Sequence, residues 1–309
     1  MKSYPSVPPL AAVPEILDGG HLWIQEHVDG GLLRFRLDES GRLEIAGDDG
    51  VFDYDDVPLH YDRAVDYLRS TIDTAMLERG VSDPSSIVYF GVATYRRRID
   101  YDWERLPPVC GHDVWSGPDE SFLSSDVVEK VFERIGLESV PAVEKERRAV
   151  DFDPTSYELP ASRFRDGSAA GVVVRNKAGG RGVIRAKGID WDADAIVRDA
   201  AGIGRGGDGI DRGADGIDID GNEVDAIAAG GSAPDLVEAK LTRGRLDRLA
   251  DELTSDGWPV TAETLFDRAL SAFAREVGPD PLDALDPGDL RAAIADRTSR
   301  YLADGPVDR

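Results

Sequence analysis

The chain has 309 residues, 41% of them hydrophobic, which is enough to bury one full core with room for a second small domain. Sixty Asp and Glu against 36 Lys and Arg give a formal net charge of −24. A lone cysteine, Cys110, excludes an internal disulfide framework, and no apolar run approaches transmembrane length.

The acids include 42 Asp, the bases are 30 Arg and 6 Lys, and both are spread over the whole length. Such a surface either rejects acidic partners or keeps a protein soluble where salt screens charge. The even spread fits the second better and predicts a cytoplasmic protein of a salt-loving cell. At molar salt the Debye length is about 3 Å, so the charge argues little against RNA as a partner; close contacts would supply the affinity. The four histidines and Cys110 lack zinc-ligand spacing, so no metal site is expected from them. The proline-broken start, "MKSYPSVPPLAAVPEIL", reads as neither signal peptide nor membrane anchor.

In chain order, residues 22–37 alternate as a half-buried strand, with Leu33, Phe35 and Leu37 on one face and Arg34, Arg36 and Asp38 on the other. Asp38–Arg42 is a turn into a partner strand around "LEI". His60–Gly80 is a helix with Ala64, Leu68, Ile72 and Met76 on one stripe. "SIVYFGVATY" and "PPVCGHDVW" are strands, "SSDVVEKVFERIGL" is a capped helix stopped by Gly136, and "AAGVVVRN" and "RGVIRAK" form a hairpin through "KAGG". Residues 194–233 are Gly- and Asp-rich and read as a disordered linker. The lone calcium-repeat-like "GGDGID" (Gly206–Asp211) within them does not change that. Helices follow over Pro234–Leu253, Thr261–Val277 and Pro287–Ala303, with Thr261 as an N-cap and Leu265, Leu270 and Phe273 apolar. The expectation is an α+β, mainly antiparallel domain over 1–193 and an all-α domain over 234–309.

Four stretches, in order, resemble the motifs of the ATP-dependent RNA ligase family of covalent nucleotidyltransferases. "EHVDGGLLRF" is similar to motif I, usually E-K-x-D/H-G. "VYFGVATYRRRIDYDWERLPPVCGHDVW" is similar to the region of motifs III and IIIa, "AAGVVVRN" to motif IV, and "RGVIRAK" falls where motif V belongs. The resemblance implies a nucleotidyltransferase fold (RNA-ligase, ATP-grasp-like adenylation), with ATP and Mg²⁺ as cofactors if active and RNA as a partner. In that family a motif I lysine forms a lysyl-AMP phosphoramidate, and burial with nearby cations lowers its pKa for the task. Carboxylates of motifs III and IV hold ribose and metal, and the motif V lysine neutralises the α-phosphate.

This chain departs from the pattern at each reactive position. His27 stands at the nucleophile, Val92 at the motif III Glu and Ala170 at the motif IV Glu. The motif V lysine aligns with Val183, the alignment preferred because the hairpin needs no extra residues, or with Lys187 by sliding the register. Retained for nucleotide binding by resemblance are Glu26, Asp29, Gly30, Arg34 and Arg175. An imidazole with an ordinary pKa near 6.5 can form a phosphoramidate, but its reach is shorter, and about 1 Å of misplacement can cost on the order of 100-fold. Three readings follow: a catalytically degenerate ligase-like protein, an active ligase with an altered nucleophile, or a non-catalytic RNA-binding or scaffold protein. Arg96–Arg98 are either RNA-phosphate contacts or a solvated strand edge.

Overall fold

The computed structural model describes residues 1–79, 81–189, 191 and 232–304. The linker block up to residue 231, with Gly206–Asp211, and the expected domain boundary at 193 lie outside the described residues.

All pairings between the nine strands of the described residues are antiparallel. They build a four-stranded sheet in the order β7-β1-β8-β9 and a five-stranded sheet in the order β3-β2-β4-β5-β6. The strands are β1 (His21–Glu26), β2 (Gly31–Leu37), β3 (Leu43–Ala46), β4 (Ile87–Ala93), β5 (Val109–Ser116), β6 (Ser121–Phe122), β7 (Ala142–Arg148), β8 (Gly171–Asn176) and β9 (Arg181–Arg185). The expected single strand over 22–37 is therefore two strands in different sheets. Gly30 is what permits the crossing, because a Cβ there would overlap the Ala93 carbonyl oxygen and the Val92 side chain.

Leu33, Phe35 and Leu37 do point into the core, with Ile45, Tyr89 and Val114. Helices α1 (Leu59–Thr71) and α3 (Ser125–Arg134) cover that face through Ala64, Val65, Leu68, Val128 and Phe132. The long helix expected over His60–Gly80 breaks at Ile72, which turns extended at ψ 116°. Asp73 then caps α2 (Thr74–Glu78) by accepting from the Ala75 amide. The break resets the helical register, so Leu77 is buried in place of Met76. Gly136, at φ 80°, follows α3 as expected, but Ser124 at its N-cap makes no side-chain capping bond.

The first stretch of the C-terminal part is likewise two helices, α4 (Ala233–Lys240) and α5 (Arg243–Ser255), because Thr242 caps the second by accepting from the Arg245 amide. Thr261 caps α6 (Ala262–Val277) in a capping box, and Leu265, Leu270 and Phe273 are buried. With α7 (Pro279–Asp283) and α8 (Pro287–Asp304) these helices share their own core.

Helix α6 also lies against α1, and Arg275 fastens the helices to the sheet region. Its guanidinium donates to the carbonyls of Thr94 (2.7 Å), Leu106 (2.6 Å) and Pro107 (3.1 Å), and the Arg96 amide returns a bond to the Arg275 carbonyl (2.8 Å). Burial, with Arg63 nearby, lowers the pKa of this guanidinium. Carbonyl dipoles solvate the charge, with the Glu276 carboxylate acting on it as a lesser influence than burial. A cavity of about 610 Å³ lies at this junction, and two of its arginines are paired internally, Arg63 with Glu252 and Arg245 with Glu276. Replacing Arg275 by Ala strands those carbonyls, so unfolding free energy should fall by about 3 kcal/mol in denaturant titrations. An unchanged midpoint would show that the fastening carries no energy.

Candidate nucleotide cleft

The cleft lies between the facing sides of the two sheets. Alternation sends Leu22 and Ile24 of β1, with Val172 and Val174 of β8, to the outer core of the four-stranded sheet. Gln25, Val173 and Arg175 therefore face inward. The five-stranded sheet presents Leu32, Arg34, Phe90 and Val92 on the face opposite its helix-covered core. A cavity of about 180 Å³ results, bounded by Glu26, His27, Gly30, Val92, His112 and Arg175.

Residues from the stretches that resemble motifs I, III, IIIa and IV thus meet at one place. Ala170 packs one layer behind, in a buried cluster with Val28 and Val140 and against Val92. Val183 pairs with Val173 on the cleft side of β9, but its amide is taken by the Pro8 carbonyl at 2.9 Å and it does not line the cavity. Lys187 is exposed in the turn after β9 and does not line the cavity either.

The charged groups near the cleft are committed to the protein itself. Asp113 on β5 is fully buried, and its Oδ2 accepts from Arg175 (2.5 Å), Arg181 (2.5 Å) and the Tyr4 hydroxyl (3.0 Å). Arg175 also donates to the His112 carbonyl at 2.7 Å. Burial first, then the Asp113 charge, pushes the Tyr4 phenol up to about 12. The Glu26 carboxylate accepts from the Ser162 hydroxyl (2.6 Å) and the Arg163 amide (3.1 Å). Asp29 accepts from the amides of Arg98 (2.7 Å) and Ile99 (3.3 Å), while its own amide donates to the Tyr101 hydroxyl (2.9 Å). Burial raises the Asp29 pKa against the opposing pull of those amides and of Arg98. Arg34 donates to the Gly47 carbonyl at 2.5 Å, and its buried Nε lacks a partner.

His27 follows β1, outside any strand, and its amide donates to the Gly171 carbonyl at 2.9 Å. Its ring lies 5.4 Å from that of Trp191, and Arg98 and Arg185 lie over the same indole at 5.8 and 5.3 Å. The ring keeps a partly exposed edge yet is densely surrounded. Burial, then the charges of Arg185 and Arg98, lower its pKa to about 4. The imidazole is neutral at pH 7.

Arg96, Arg97 and Arg98 brace the motif I loop and the helices. Arg96 is buried and bonded to Arg275, Arg97 donates to the Gly30 carbonyl at 3.2 Å, and Arg98 holds Asp29.

Among the described residues no group of three or more His, Cys, Asp or Glu is gathered for a metal. The carboxylates present fit Mg²⁺ poorly. Glu26, Asp29 and Asp113 are engaged by protein donors, whereas Mg²⁺ needs free oxygens in near-octahedral array. Sequence reasoning missed Tyr4, Asp113, Arg181 and Trp191. Asp113 sat in plain view in "GHDVW", but nothing in a sequence announces which arginines a buried carboxylate will meet. For Tyr4 the available signal was apolar residues among the prolines of the first ten positions, a pattern for an extended segment laid on a surface.

No protein-family model matches the chain, and no curated protein does. Among solved structures the chain is similar to an RNA ligase of Naegleria gruberi. A point mutant of that ligase with ATP and Mn aligns at TM-score 0.46 and 11% identity, over 60% of this chain and 56% of that one. The ligase with PPi aligns at 0.46 and 11%, over 65% and 58%. A second mutant with ATP and Mn aligns at 0.43 and 12%, over 63% and 57%. The chain thus spans less than three fifths of the ligase it aligns with. No helix among the described residues is long and apolar enough to cross a membrane.

Two outcomes follow from the cleft. Asp113→Ala leaves two buried guanidinium groups unpaired and should cost about 3–5 kcal/mol of unfolding free energy. The second concerns pH. His27 and His112 both have pKa values near 4 when folded, chiefly through burial, against about 6.5 unfolded. The unfolded chain then binds more protons below pH 6.5, so the two side chains make stability fall as pH drops from about 6.5 toward 4. His27→Gln should flatten that slope in melts at pH 7, 5.5 and 4.5; a slope equal to that of the parent chain refutes the assignment.

Proposed function

We propose that the chain is an RNA-ligase-like protein that no longer carries out covalent nucleotidyl transfer and uses its cleft, if at all, for binding. The observation that carries this reading is the commitment of the cleft's charges. Each carboxylate that could hold a divalent ion is engaged by internal donors, Arg175 is spent on Asp113, and no lysine lines the cavity. Motif order and spacing supply the family resemblance, and the substituted residues at 27, 92, 170 and 183 supply the loss.

ATP with a divalent ion would bring phosphoryl-transfer chemistry to such a cleft. The residues present hold neither partner well, so no step is derived through them. A neutral His27 could attack phosphorus, but its side chain is shorter than the lysine it stands for. Without groups to steady the developing charge on the phosphate, the step lacks what usually contributes most to its rate. Of the two remaining readings, RNA binding draws less support from Arg96–Arg98 than the sequence offered, since each has an internal contact.

Incubating the protein with ATP labelled at the α-phosphate, with Mg²⁺ or Mn²⁺ in molar KCl, should leave it unlabelled. A covalent AMP adduct lost in His27→Ala would replace this reading with that of an active enzyme using a histidine nucleophile.

A further inference from the structure

The first nine residues lie across the cleft. Tyr4 and Val7 help to enclose the cavity that His27 and Arg175 bound. The Tyr4 ring is packed among His112 (4.7 Å between ring centres), Phe90 (5.1 Å) and Phe122 (5.7 Å). Its hydroxyl joins the Asp113 network, accepting from Arg181 and donating to the carboxylate. The Lys2 ammonium stands 3.9 Å from the Trp115 ring centre, and the Lys2 carbonyl faces Arg34 at 3.5 Å. Pro8 accepts from the Val183 amide and Pro9 bridges Val183 in parallel, so the segment adds itself to the open edge of β9.

The segment is held lightly for one so placed. None of residues 1–9 falls in the buried class, and the buried run begins at Leu10. Pro5, Pro8 and Pro9 have no amide hydrogen to donate, so side-chain contacts and a few carbonyls carry the attachment. Segments with few buried contacts open at low free energy.

What lies beneath is a slot walled by His112, Phe90 and Phe122 beside three arginines: Arg175 and Arg181, which share the Asp113 carboxylate, and Arg34, which is held by carbonyls. Buried Glu26 also lines the cavity, so the cationic side of the slot is the one formed by Arg34, Arg175 and Arg181. With the segment in place the cavity of about 180 Å³ falls below the ~300–1,000 Å³ of usual ligand sites.

We propose that residues 2–9 are a displaceable strap: they occupy the cleft as an internal ligand, and a nucleoside phosphate and the strap exclude one another. The Tyr4 ring holds the place of a planar base, and the Tyr4 hydroxyl and the Lys2 carbonyl take donors of Arg181 and Arg34 that anionic phosphates would otherwise engage. Leu10, anchored in the outer core with Ile16, is the pivot. This inference rests on the reading that the cleft is the ligand cleft of a ligase-like fold, but not on whether that cleft performs chemistry.

The test compares the full chain, a variant lacking residues 2–7, and Tyr4→Ala, each titrated with ATP by equilibrium dialysis in molar KCl without divalent metal. Both variants should bind ATP at least tenfold more tightly than the full chain. Should the shortened chain fail to fold, Tyr4→Ala, which alters one partly exposed side chain, carries the comparison. In the full chain, saturating ATP should speed hydrogen exchange at the Val183 amide as its Pro8 acceptor departs. Affinities within twofold of one another, no ATP binding by any form, or an unchanged Val183 amide at saturation would overturn the strap. A covalent adduct with a tenfold gain would keep the strap and remove the non-catalytic reading. No adduct and no gain would do the reverse.

Discussion

Asp113 is the carboxylate on which the arrangement of the cleft depends. It sits on a strand of the five-stranded sheet and grips Arg175 and Arg181 from two strands of the other, so one buried oxygen joins both sheets and the N-terminal segment. Desolvating such a cluster costs several kcal/mol per ion, which only close geometry and saturated donors offset. Here both are met, and the consequence is chemical as well as structural. A guanidinium held by a buried carboxylate is not free for phosphate unless the carboxylate is given a substitute, and the phenol of Tyr4 shows that the network accepts an outside member.

The same economy governs the motif I loop. Asp29 takes two amides of the Arg98–Ile99 segment, Arg97 returns a bond to Gly30, and Arg96 meets Arg275 of the helical part. A line of internal bonds thus runs from the candidate nucleophile position to the C-terminal helices. On the proposed reading, positions that resemble a nucleotidyltransferase's substrate contacts serve in this chain to hold secondary structure together, and degeneracy of the site would consist of that: hydrogen-bonding capacity filled from inside.

The His27 imidazole is neutral through burial and neighbouring cations, the two influences that in general lower the pKa of a basic side chain. On the proposed reading it stands for a lysine with longer reach, in a setting that would suit a neutral nucleophile but supplies, among the described residues, no carboxylates free for a metal.

The sequence by itself determined the antiparallel α+β class, the hairpin through "KAGG", the turn into β3, the N-cap at Thr261 and the inward set Leu33, Phe35 and Leu37. These depend on period-two or helical spacing and on local turn and cap chemistry, which neighbouring residues decide. It also set positions 27, 92, 170 and 183 in the order of the motifs they resemble, with the expectation that they converge on one cleft; 27 and 92 do so, while 170 packs behind the cavity and 183 does not line it. Only the tertiary structure decided that residues 22–37 divide between two sheets, that the long helix breaks at Ile72, and that Tyr4 lies in the cleft. It alone decided that Asp113 spends Arg175 and brings in Arg181 beside it. Apart from the helix break, where Asp73 caps the next helix locally, each of these depends on what packs opposite from about 60 to more than 100 residues away, or on backbone room at a single glycine, and no local pattern records such a partner.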